Sequence, residues 1–219
     1  MSEIARYDRD DALVAAVLGD GQPRFHVRAV TDVSVVLGRG SRPEVELFID
    51  AIEAAAVAML RRDGGGCSVV LDPGNVVVSA ACRLPGLGGS RAAFAACSAW
   101  LIAGLERSGI GGVQRRETSD LVLGDRKVGG ASIHRSRDLL YYSTTLLVTP
   151  DVALSERFLR HPPREPIYRR GRPHREFMGA LTAVDRSLDA PTLAGRLQAA
   201  LESLAWPISD HQARPRHSS

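Results

Sequence analysis

The sequence of 219 residues predicts an α/β (α+β) fold in which a mainly antiparallel sheet is flanked by helices. Many short runs of β-branched residues are joined by tight turn signals, a pattern typical of antiparallel strands. Segments with apolar residues at helical spacing accompany them. With 44% hydrophobic and 24% charged residues, the chain is long enough to bury one core. We therefore expect one domain over residues 1–210 and a disordered tail over residues 211–219.

Charge and cysteine content narrow the class of protein. The net charge of +3 comes from arginine, because Lys127 is the only lysine. No aromatic-rich basic stripe and no stretch near the roughly 18 apolar residues of a membrane span is present, so we expect neither nucleic acid nor a membrane as partner. The three cysteines, Cys67, Cys82 and Cys97, lack metal-ligand spacing. Together with a polar N-terminus that has no apolar signal core, they predict a reduced, cytoplasmic protein without metal-ligand residues.

The first sixty residues alternate between helix and strand signals. Residues 11–18 predict a short amphipathic helix, and two β-branched runs, 25–30 and 33–38, predict a pair of strands around a short turn. Pro43 is expected to open a helix that continues to about Glu53. A strand over residues 57–62 then leads into a glycine loop.

The central stretch, residues 61–79, reads RRDGGGCSVVLDPGNVVVS. It predicts a strand, a glycine loop, a second strand, a turn and a third strand, since Pro fixes φ while Gly and Asn tolerate positive φ. A loop without Cβ atoms lets a ligand lie on backbone N–H groups, and guanidinium groups on its rim can hold a carboxylate or phosphate. The alternative is a surface hairpin with a flexible tip.

Three further segments complete the prediction. A helix over about residues 91–107 contains Cys97, which we interpret as a core residue because no base lies within one helical turn of it. Residues 161–177 form a proline- and arginine-rich connector, and a terminal helix follows over about residues 191–205. The connector is expected to be solvated, although its arginines could contact an acidic partner or a phosphate: Arg169, Arg170, Arg172 and Arg175.

Lys127 stands between two apolar strand signals and is followed by Gly129 and Gly130. Paired glycines leave space that a lysine ammonium could point across towards a ligand. The alternative is an ordinary solvated lysine on a strand.

These stretches together resemble the lipoate–protein ligase branch of the biotin/lipoate ligase and octanoyltransferase superfamily. Residues 61–75 follow the pattern R-R-x-S-G-G-G-A-V-x-H-D-x-G-N without a gap. Residues 119–121 and 125–132 are similar to N-D-L and G-x-K-I-S-G-S-A, residues 144–147 to a G-T-L-L strand, and residues 36–40 to a V-x-L-G strand end. The resemblance spans roughly residues 25–185.

The resemblance implies a biotin/lipoate-ligase-like catalytic domain with ATP-dependent activity. Such an enzyme converts lipoate or octanoate to an acyl-adenylate, with Mg²⁺ as activator, and transfers the acyl group to a lysine of a lipoyl-domain or glycine-cleavage H-type acceptor protein. Lys127 would be catalytic, polarising the acyl carbonyl. A separate accessory chain is a further possible partner. The residues implied to bind the acid and ATP are Arg62, Gly64, Gly65, Gly66, Cys67, Ser68, Val69, Val70, Asn75, Asp120 and Gly130.

The departures from the family pattern leave two alternatives open. Gly64, Cys67 and Leu71 stand where the family has serine, glycine and histidine. One alternative is octanoyl or lipoyl transfer without ATP through a cysteine thioester, for which Cys67 is the remaining candidate. The other is a non-catalytic homologue that binds the acyl group or the acceptor.

Overall fold

The computed structural model of the chain describes residues 4–208, so the predicted tail over residues 211–219 lies outside the described residues. The strands are β1 (Ala5–Arg6), β2 (Arg24–Ala29), β3 (Ser34–Leu37), β4 (Ala58–Arg61), β5 (Val69–Leu71), β6 (Asn75–Arg83), β7 (Val113–Arg116), β8 (Asp120–Leu123), β9 (Arg126–Arg135) and β10 (Leu139–Leu147). The helices are α1 (Asp11–Asp20), α2 (Pro43–Glu46), α3 (Ile49–Ala54), α4 (Ser90–Arg107), α5 (Val152–Phe158), α6 (His174–Phe177) and α7 (Ala190–Glu202). Two short 3₁₀ turns cover Ile167–Arg169 and Leu181–Ala183.

A six-stranded sheet with the order β2-β6-β10-β9-β8-β7 confirms the mainly antiparallel prediction. All five strand pairs in it are antiparallel. Helices α4 and α7 cover one face, where Trp100 and Leu197 join the fully buried Tyr142 of β10 in the largest hydrophobic cluster. The opposite face of this sheet is left for the site described below.

A smaller sheet has the order β1-β4-β3-β5, and its β1–β4 and β3–β4 pairs are parallel. The predicted pairing of the runs 25–30 and 33–38 is therefore wrong. Strand β2 pairs with β6 in the larger sheet, whereas β3 pairs with β4 and β5 in the smaller one. Every residue of β3 is buried, as in a strand covered on both faces, so the chain crosses between sheets at this point.

The predicted helix from Pro43 to Glu53 is broken into α2 and α3. Leu47 has extended backbone angles and forms a bridge with Leu159, and the Phe48 N–H donates to the carbonyl of Phe158 at 2.9 Å. Helix α5 was not predicted. Contacts with the end of α5 and the residue after it thus hold residues 47 and 48 in an extended conformation and interrupt the helix. This competing tertiary contact is not visible in local periodicity.

The other predicted elements are confirmed with small shifts of boundary. The order β4, glycine loop, β5, turn and β6 matches the central stretch, and α4 and α7 match the two long helices. Over residues 4–208, no helix combines the length and the apolar composition needed to cross a bilayer.

Candidate active site

A cavity of about 620 Å³ lies between the two sheets. Its volume is in the range typical of small-molecule sites. The smaller sheet contributes apolar side chains from β3 and β5, and the larger sheet contributes residues of β6, β9 and β10. These wall residues include Val36, Val70, Leu71, Val77, Gly129, Thr145 and Leu147.

The glycine loop between β4 and β5 forms one rim of this cavity. The predicted residues that line it are Arg62, Gly66, Cys67, Ser68, Val69 and Val70. The loop packs tightly on the end of β3, since a Cβ atom at Gly38 would lie 1.9 Å from the carbonyl oxygen of Gly66. The rigid support expected for a binding loop is therefore present.

The two arginines before the loop hold the protein's own carbonyl groups. Arg61 donates to the carbonyls of Gly38 at 2.9 Å and Ser41 at 3.0 Å. Arg62 donates to the carbonyls of Val36 at 3.1 Å, Gly65 at 2.8 Å and Cys67 at 2.9 Å.

The predicted rim of guanidinium groups open to a ligand is therefore corrected. Nη1 of Arg62 is bonded to β3 and Nη2 to the loop, while its buried Nε has no hydrogen-bond partner among the described residues. Burial also lowers the pKa of Arg62.

Glu46 is a site residue that the sequence did not reveal. Its buried carboxylate accepts three hydrogen bonds on one oxygen: from the Ser68 N–H at 2.6 Å, the Ser68 hydroxyl at 2.8 Å and the Ser41 hydroxyl at 2.9 Å. Ser68, predicted to bind the ligand, thus directs both its donors to Glu46. A carboxylate that accepts several hydrogen bonds in this way holds the loop in place.

Three residues assigned to the site lie outside the cavity lining. Gly64 packs against Ser132, and Gly65 is exposed with its carbonyl held by Arg62. Asn75, also assigned to bind the ligand, is the third of these residues. Asn75 is fully buried, and its side chain exchanges hydrogen bonds with Asp72 at 3.2 Å, which fixes the turn before β6.

Lys127 and Asp120 lie on the wall of the cavity and form an ion pair, with Nζ 2.7 Å from Oδ1. The Lys127 side chain is 29% exposed, so it is not the solvated strand lysine of the alternative interpretation. A Cβ atom at Gly130 would lie 2.9 Å from both Cε and Nζ of Lys127. The glycine therefore leaves the space through which the lysine folds towards Asp120.

The proline- and arginine-rich connector is only partly solvated, as predicted for Arg170 and Arg175, and its other residues cover the cavity. Tyr168 is buried, and its hydroxyl donates to Oδ2 of Asp120 at 2.8 Å. The guanidinium of Arg116 lies 4.3 Å above the Tyr168 ring, and Phe177 packs beside it with ring centroids 5.2 Å apart. Burial, reinforced by the charge of Asp120, raises the pKa of Tyr168.

Arg169 shows most clearly that the connector is part of the cavity. The residue is 4% exposed, Nε donates to the carbonyl of Arg172 at 2.9 Å, and Nη2 has no hydrogen-bond partner among the described residues. Burial lowers its pKa. Two other arginines fasten the segment, because Arg172 pairs with Asp125 at 2.9 Å and Arg175 with Glu156 at 3.2 Å.

Comparison with known proteins identifies the family. A model of the lipoyl protein ligase A/B catalytic domain matches residues 6–202. The chain belongs to this family. It is thus an enzyme of the lipoate ligase and octanoyltransferase class, and the resemblance of its motifs is confirmed. A search of curated proteins finds no match.

Solved structures agree with the fold of a lipoyl protein ligase A/B catalytic domain. A bipartite lipoate protein ligase of Thermoplasma acidophilum, described with its E2 lipoyl domain, has 20% identity and a TM-score of 0.74, covering 88% of this chain and 75% of that one. Lipoate-protein ligase A bound with ATP has 18% identity and a TM-score of 0.72, covering 88% and 76%. A further T. acidophilum structure with bound lipoic acid has 19% identity and a TM-score of 0.71, covering 92% and 82%.

The family includes ligases and transferases, so the cysteines of this lipoyl protein ligase A/B catalytic domain are informative. Cys82 and Cys97 are buried, and burial raises the pKa of Cys97 to about 12, which makes its thiol inert. Cys67 is half-buried, lines the cavity and donates from Sγ to the carbonyl of Arg164 at 3.6 Å. It is the cysteine that a ligand in the cavity can reach.

Proposed function

We propose that this chain is the catalytic domain of an ATP-dependent lipoate–protein ligase. It activates lipoate or octanoate to an acyl-adenylate and transfers the acyl group to a lysine of an acceptor protein. The observation that carries the proposal is the ammonium of Lys127, held 2.7 Å from Asp120 on the wall of a cavity whose rim is the glycine loop.

In the first step, a carboxylate oxygen of the acid attacks the α-phosphorus of ATP, and pyrophosphate leaves. Negative charge builds on the phosphoryl oxygens. The ammonium of Lys127 and the backbone N–H groups of the loop, other than the Ser68 N–H that donates to Glu46, would donate hydrogen bonds to that charge. Arg61, Arg62 and Glu46 would act indirectly, because their hydrogen bonds keep the loop in shape.

In the second step, the acceptor lysine amine attacks the acyl carbon, AMP leaves, and the amine loses a proton. The carbonyl oxygen gains negative charge as the carbon becomes tetrahedral. A compact ammonium with three donors can hold Asp120 with one hydrogen and present another to this oxygen. Lys127 would therefore serve in both steps.

Residues near Lys127 fit a magnesium ion brought in with ATP. Over residues 4–208, no three His, Cys, Asp or Glu side chains gather as a metal site. Such a cluster is not required, since Mg²⁺ commonly takes one or two carboxylates together with substrate phosphates and water. Asp120 is the carboxylate beside Lys127 that would hold it, through the oxygen lone pairs that its bonds to Lys127 and Tyr168 leave free. The ion, when bound, would offset phosphate charge.

The ligands of the structural neighbours support these substrates and partners. ATP and lipoic acid are bound in two of them, which favours both as substrates here. The bipartite archaeal ligase and its E2 lipoyl domain favour a lipoyl-domain acceptor, with a glycine-cleavage H-type protein as a second candidate, and a separate accessory chain. The three cysteines of the present chain form no disulfide, which suits a reducing cytoplasm.

The test separates activation from transfer. Purified protein is incubated with ATP, Mg²⁺ and either lipoate or octanoate, and pyrophosphate release is measured. A lipoyl-domain acceptor is then added, and its mass is determined by intact mass spectrometry. We expect ATP-dependent release and an acylated acceptor, while an acceptor with its target lysine replaced by arginine stays unmodified. Release without acylation would indicate a missing accessory chain. If lipoate or octanoate binds but pyrophosphate is released with neither acid, with or without the acceptor, the proposal is overturned in favour of a non-catalytic homologue.

Transfer without ATP is the second candidate, favoured by the position of Cys67 on the cavity wall. In that reaction the thiolate of Cys67 would attack an acyl thioester, release the carrier thiol, and pass the acyl group to the acceptor lysine. Octanoyl-acyl carrier protein, supplied without ATP, tests it. Acylation that is lost in Cys67→Ser would replace the ligase proposal, whereas ATP-dependent acylation retained in Cys67→Ser excludes the thioester.

A further inference from the structure

The connector that covers the cavity concentrates positive charge. Residues 160–175 contain six arginines and one glutamate, whereas the whole chain has a net charge of +3. Arg172 and Arg175 form ion pairs that fasten the segment to the fold. Arg164 and Arg170 differ, because both are exposed and neither pairs with a carboxylate in the part of the chain that the structure describes. The ligation chemistry leaves these two guanidinium groups without a role.

Glu165, the glutamate of this segment, does not neutralise them. Its Oε1 accepts a hydrogen bond from the Gly171 N–H at 2.9 Å. Its Oε2 lies 2.8 Å from Nε2 of His161 and 3.6 Å from Nε of Arg169. Both oxygens are therefore engaged within the connector, and the outer surface of the connector stays positive.

A 3₁₀ turn gives the connector an inner and an outer side. Tyr168 and Arg169 face inwards and are 7% and 4% exposed. Ile167 before them is 89% exposed, the highest value for a large apolar residue in the described part of the chain, and Arg170 after them is exposed as well. Ile167 and Arg170 stand at the two ends of this tight turn, three residues apart, so they lie close together on its outer side.

Two further arginines stand beside this turn. The guanidinium of Arg116 lies 4.3 Å above the ring of Tyr168, and Arg116 is itself exposed. Arg164 precedes Ile167 by three residues, so their Cα atoms are at most about 11 Å apart. Arg164 is exposed and also lines the cavity, which places it at the cavity mouth. The arginine face is our name for Arg116, Arg164, Ile167 and Arg170.

We propose that the arginine face docks the acceptor protein through an acidic surface beside its target lysine. This inference rests on the proposed function for the identity of the occupant. Protein interfaces are enriched in arginine and have apolar centres, which suits an exposed isoleucine among guanidinium groups. Unpaired guanidinium groups form charge-assisted hydrogen bonds with carboxylates of a partner. Since Arg164 marks the cavity mouth, a lysine beside that acidic surface is brought to the opening.

The same face does not suit nucleic acid. The aromatic residues of the connector and of helix α6, Tyr168 and Phe177, are 7% and 3% exposed, so they offer no ring on which a base could stack. A folded acidic protein needs no such ring. The charge and the single apolar anchor therefore favour a protein partner.

Direct binding tests this inference without requiring catalysis. Surface plasmon resonance measures binding of the full chain to a lipoyl domain of negative net charge whose target lysine is replaced by arginine. Affinity should fall about fivefold or more between about 50 and about 200 mM NaCl, because salt screens exposed charges. Ile167→Ser and Arg170→Glu should each weaken binding about fivefold or more, and the double variant about twentyfold or more.

Leu87→Ser and Arg91→Glu are the matched controls. Leu87 is 71% exposed in the loop before α4, and Arg91 is exposed on α4, which covers the face of the larger sheet opposite the cavity. Both variants should bind the lipoyl domain as the unmodified protein does. Thermal melts confirm that all four single variants are folded.

Pyrophosphate release shows whether the arginine face serves the acceptor or ATP. In the double variant of Ile167 and Arg170, the KM for ATP should stay within about twofold of the unmodified value. A rise in this KM as large as the loss of acceptor affinity would overturn the inference and assign the charge to ATP.

The inference would also be overturned by lipoyl-domain binding that is insensitive to salt, by an equal loss in the two controls, or by tighter binding of a short DNA duplex than of the lipoyl domain. Pyrophosphate release by an unmodified protein that does not bind the lipoyl domain would overturn the inference but leave the ligase activity standing. Binding that depends on the arginine face, without ATP-dependent pyrophosphate release, would instead contradict the proposed function alone.

Discussion

Asp120 bridges Lys127 and Tyr168. One carboxylate oxygen lies 2.7 Å from the Lys127 ammonium, and the other accepts the Tyr168 hydroxyl at 2.8 Å. Strands β8 and β9 supply the ion pair, and the connector over the cavity supplies the tyrosine. The position of the ammonium is therefore set jointly by the sheet and by the segment that covers the site.

Replacing Lys127 by arginine or alanine should lower the rate of acyl transfer by a similar large factor. Loss of a donor to a developing negative charge in a closed site costs on the order of 10² to 10³ in rate. Arginine keeps the charge, but its planar fork is larger than the compact ammonium that fits over Gly130. Turnover is measured by acceptor mass, and folding by thermal melt. Activity within a few-fold of the unmodified protein in either variant would remove Lys127 from the mechanism.

Tyr168→Phe should lower turnover by about tenfold, because one hydrogen bond to Asp120 is lost. The ring, with its contacts to Arg116 and Phe177, remains. A positioning role predicts a fall in kcat with KM for ATP within about twofold. A change in KM with kcat intact, at an unchanged melting temperature, would show that Tyr168 contributes to binding and not to the orientation of Asp120 and Lys127.

Local sequence patterns were sufficient for the glycine loop and its surroundings. The turn at residues 72–75 and the order β4, loop, β5 depend on backbone preferences that neighbouring residues determine. Lys127 and Asp120, which the resemblance to the family motifs assigned to the site, lie together on the cavity wall. Asn75 belonged to these motifs as well, yet it serves the turn, because a motif residue can stabilise the fold without touching a ligand.

The failures have a common physical cause in long-range contacts. Nothing near β2 or β3 specifies that they join different sheets. The composition of the connector suggested solvent exposure, but Tyr168 and Arg169 are buried because Asp120, Phe177 and nearby carbonyls provide partners for them. Glu46 gave no signal, since its partners Ser41 and Ser68 are 5 and 22 residues away.

Gly38→Ala should destabilise the protein by lowering the melting temperature by about 5 °C or more. A Cβ atom there would meet the backbone carbonyl of Gly66 at 1.9 Å, so the loop would have to move. Gly40→Ala is the matched control, because a Cβ atom at that position meets nothing within 4 Å. Differential scanning calorimetry compares the two variants. Equal melting temperatures would show that the loop is not fixed by this contact.

The last prediction concerns His174, whose pKa is lowered by burial and by the neighbouring charge of Arg169. Glu156 and His161 also act on this imidazole. An unfolded chain has a histidine pKa of about 6.5, so below that pH the unfolded state binds the proton more readily than the folded state. The stabilising contribution of the neutral imidazole is therefore complete above about 6.5 and is lost as pH falls through that value.

His174→Gln should flatten this part of the stability profile, because glutamine does not titrate. Melting temperatures are measured for both proteins at about pH 7.5 and about pH 5.5, on either side of the unfolded-state value. The unmodified protein should lose more stability on acidification than the variant, while the difference between the two proteins stays constant above about pH 7.5. Parallel losses on acidification would mean that the imidazole takes up its proton as easily in the folded protein as in the unfolded chain, in which case His174 would not be held neutral beside Arg169.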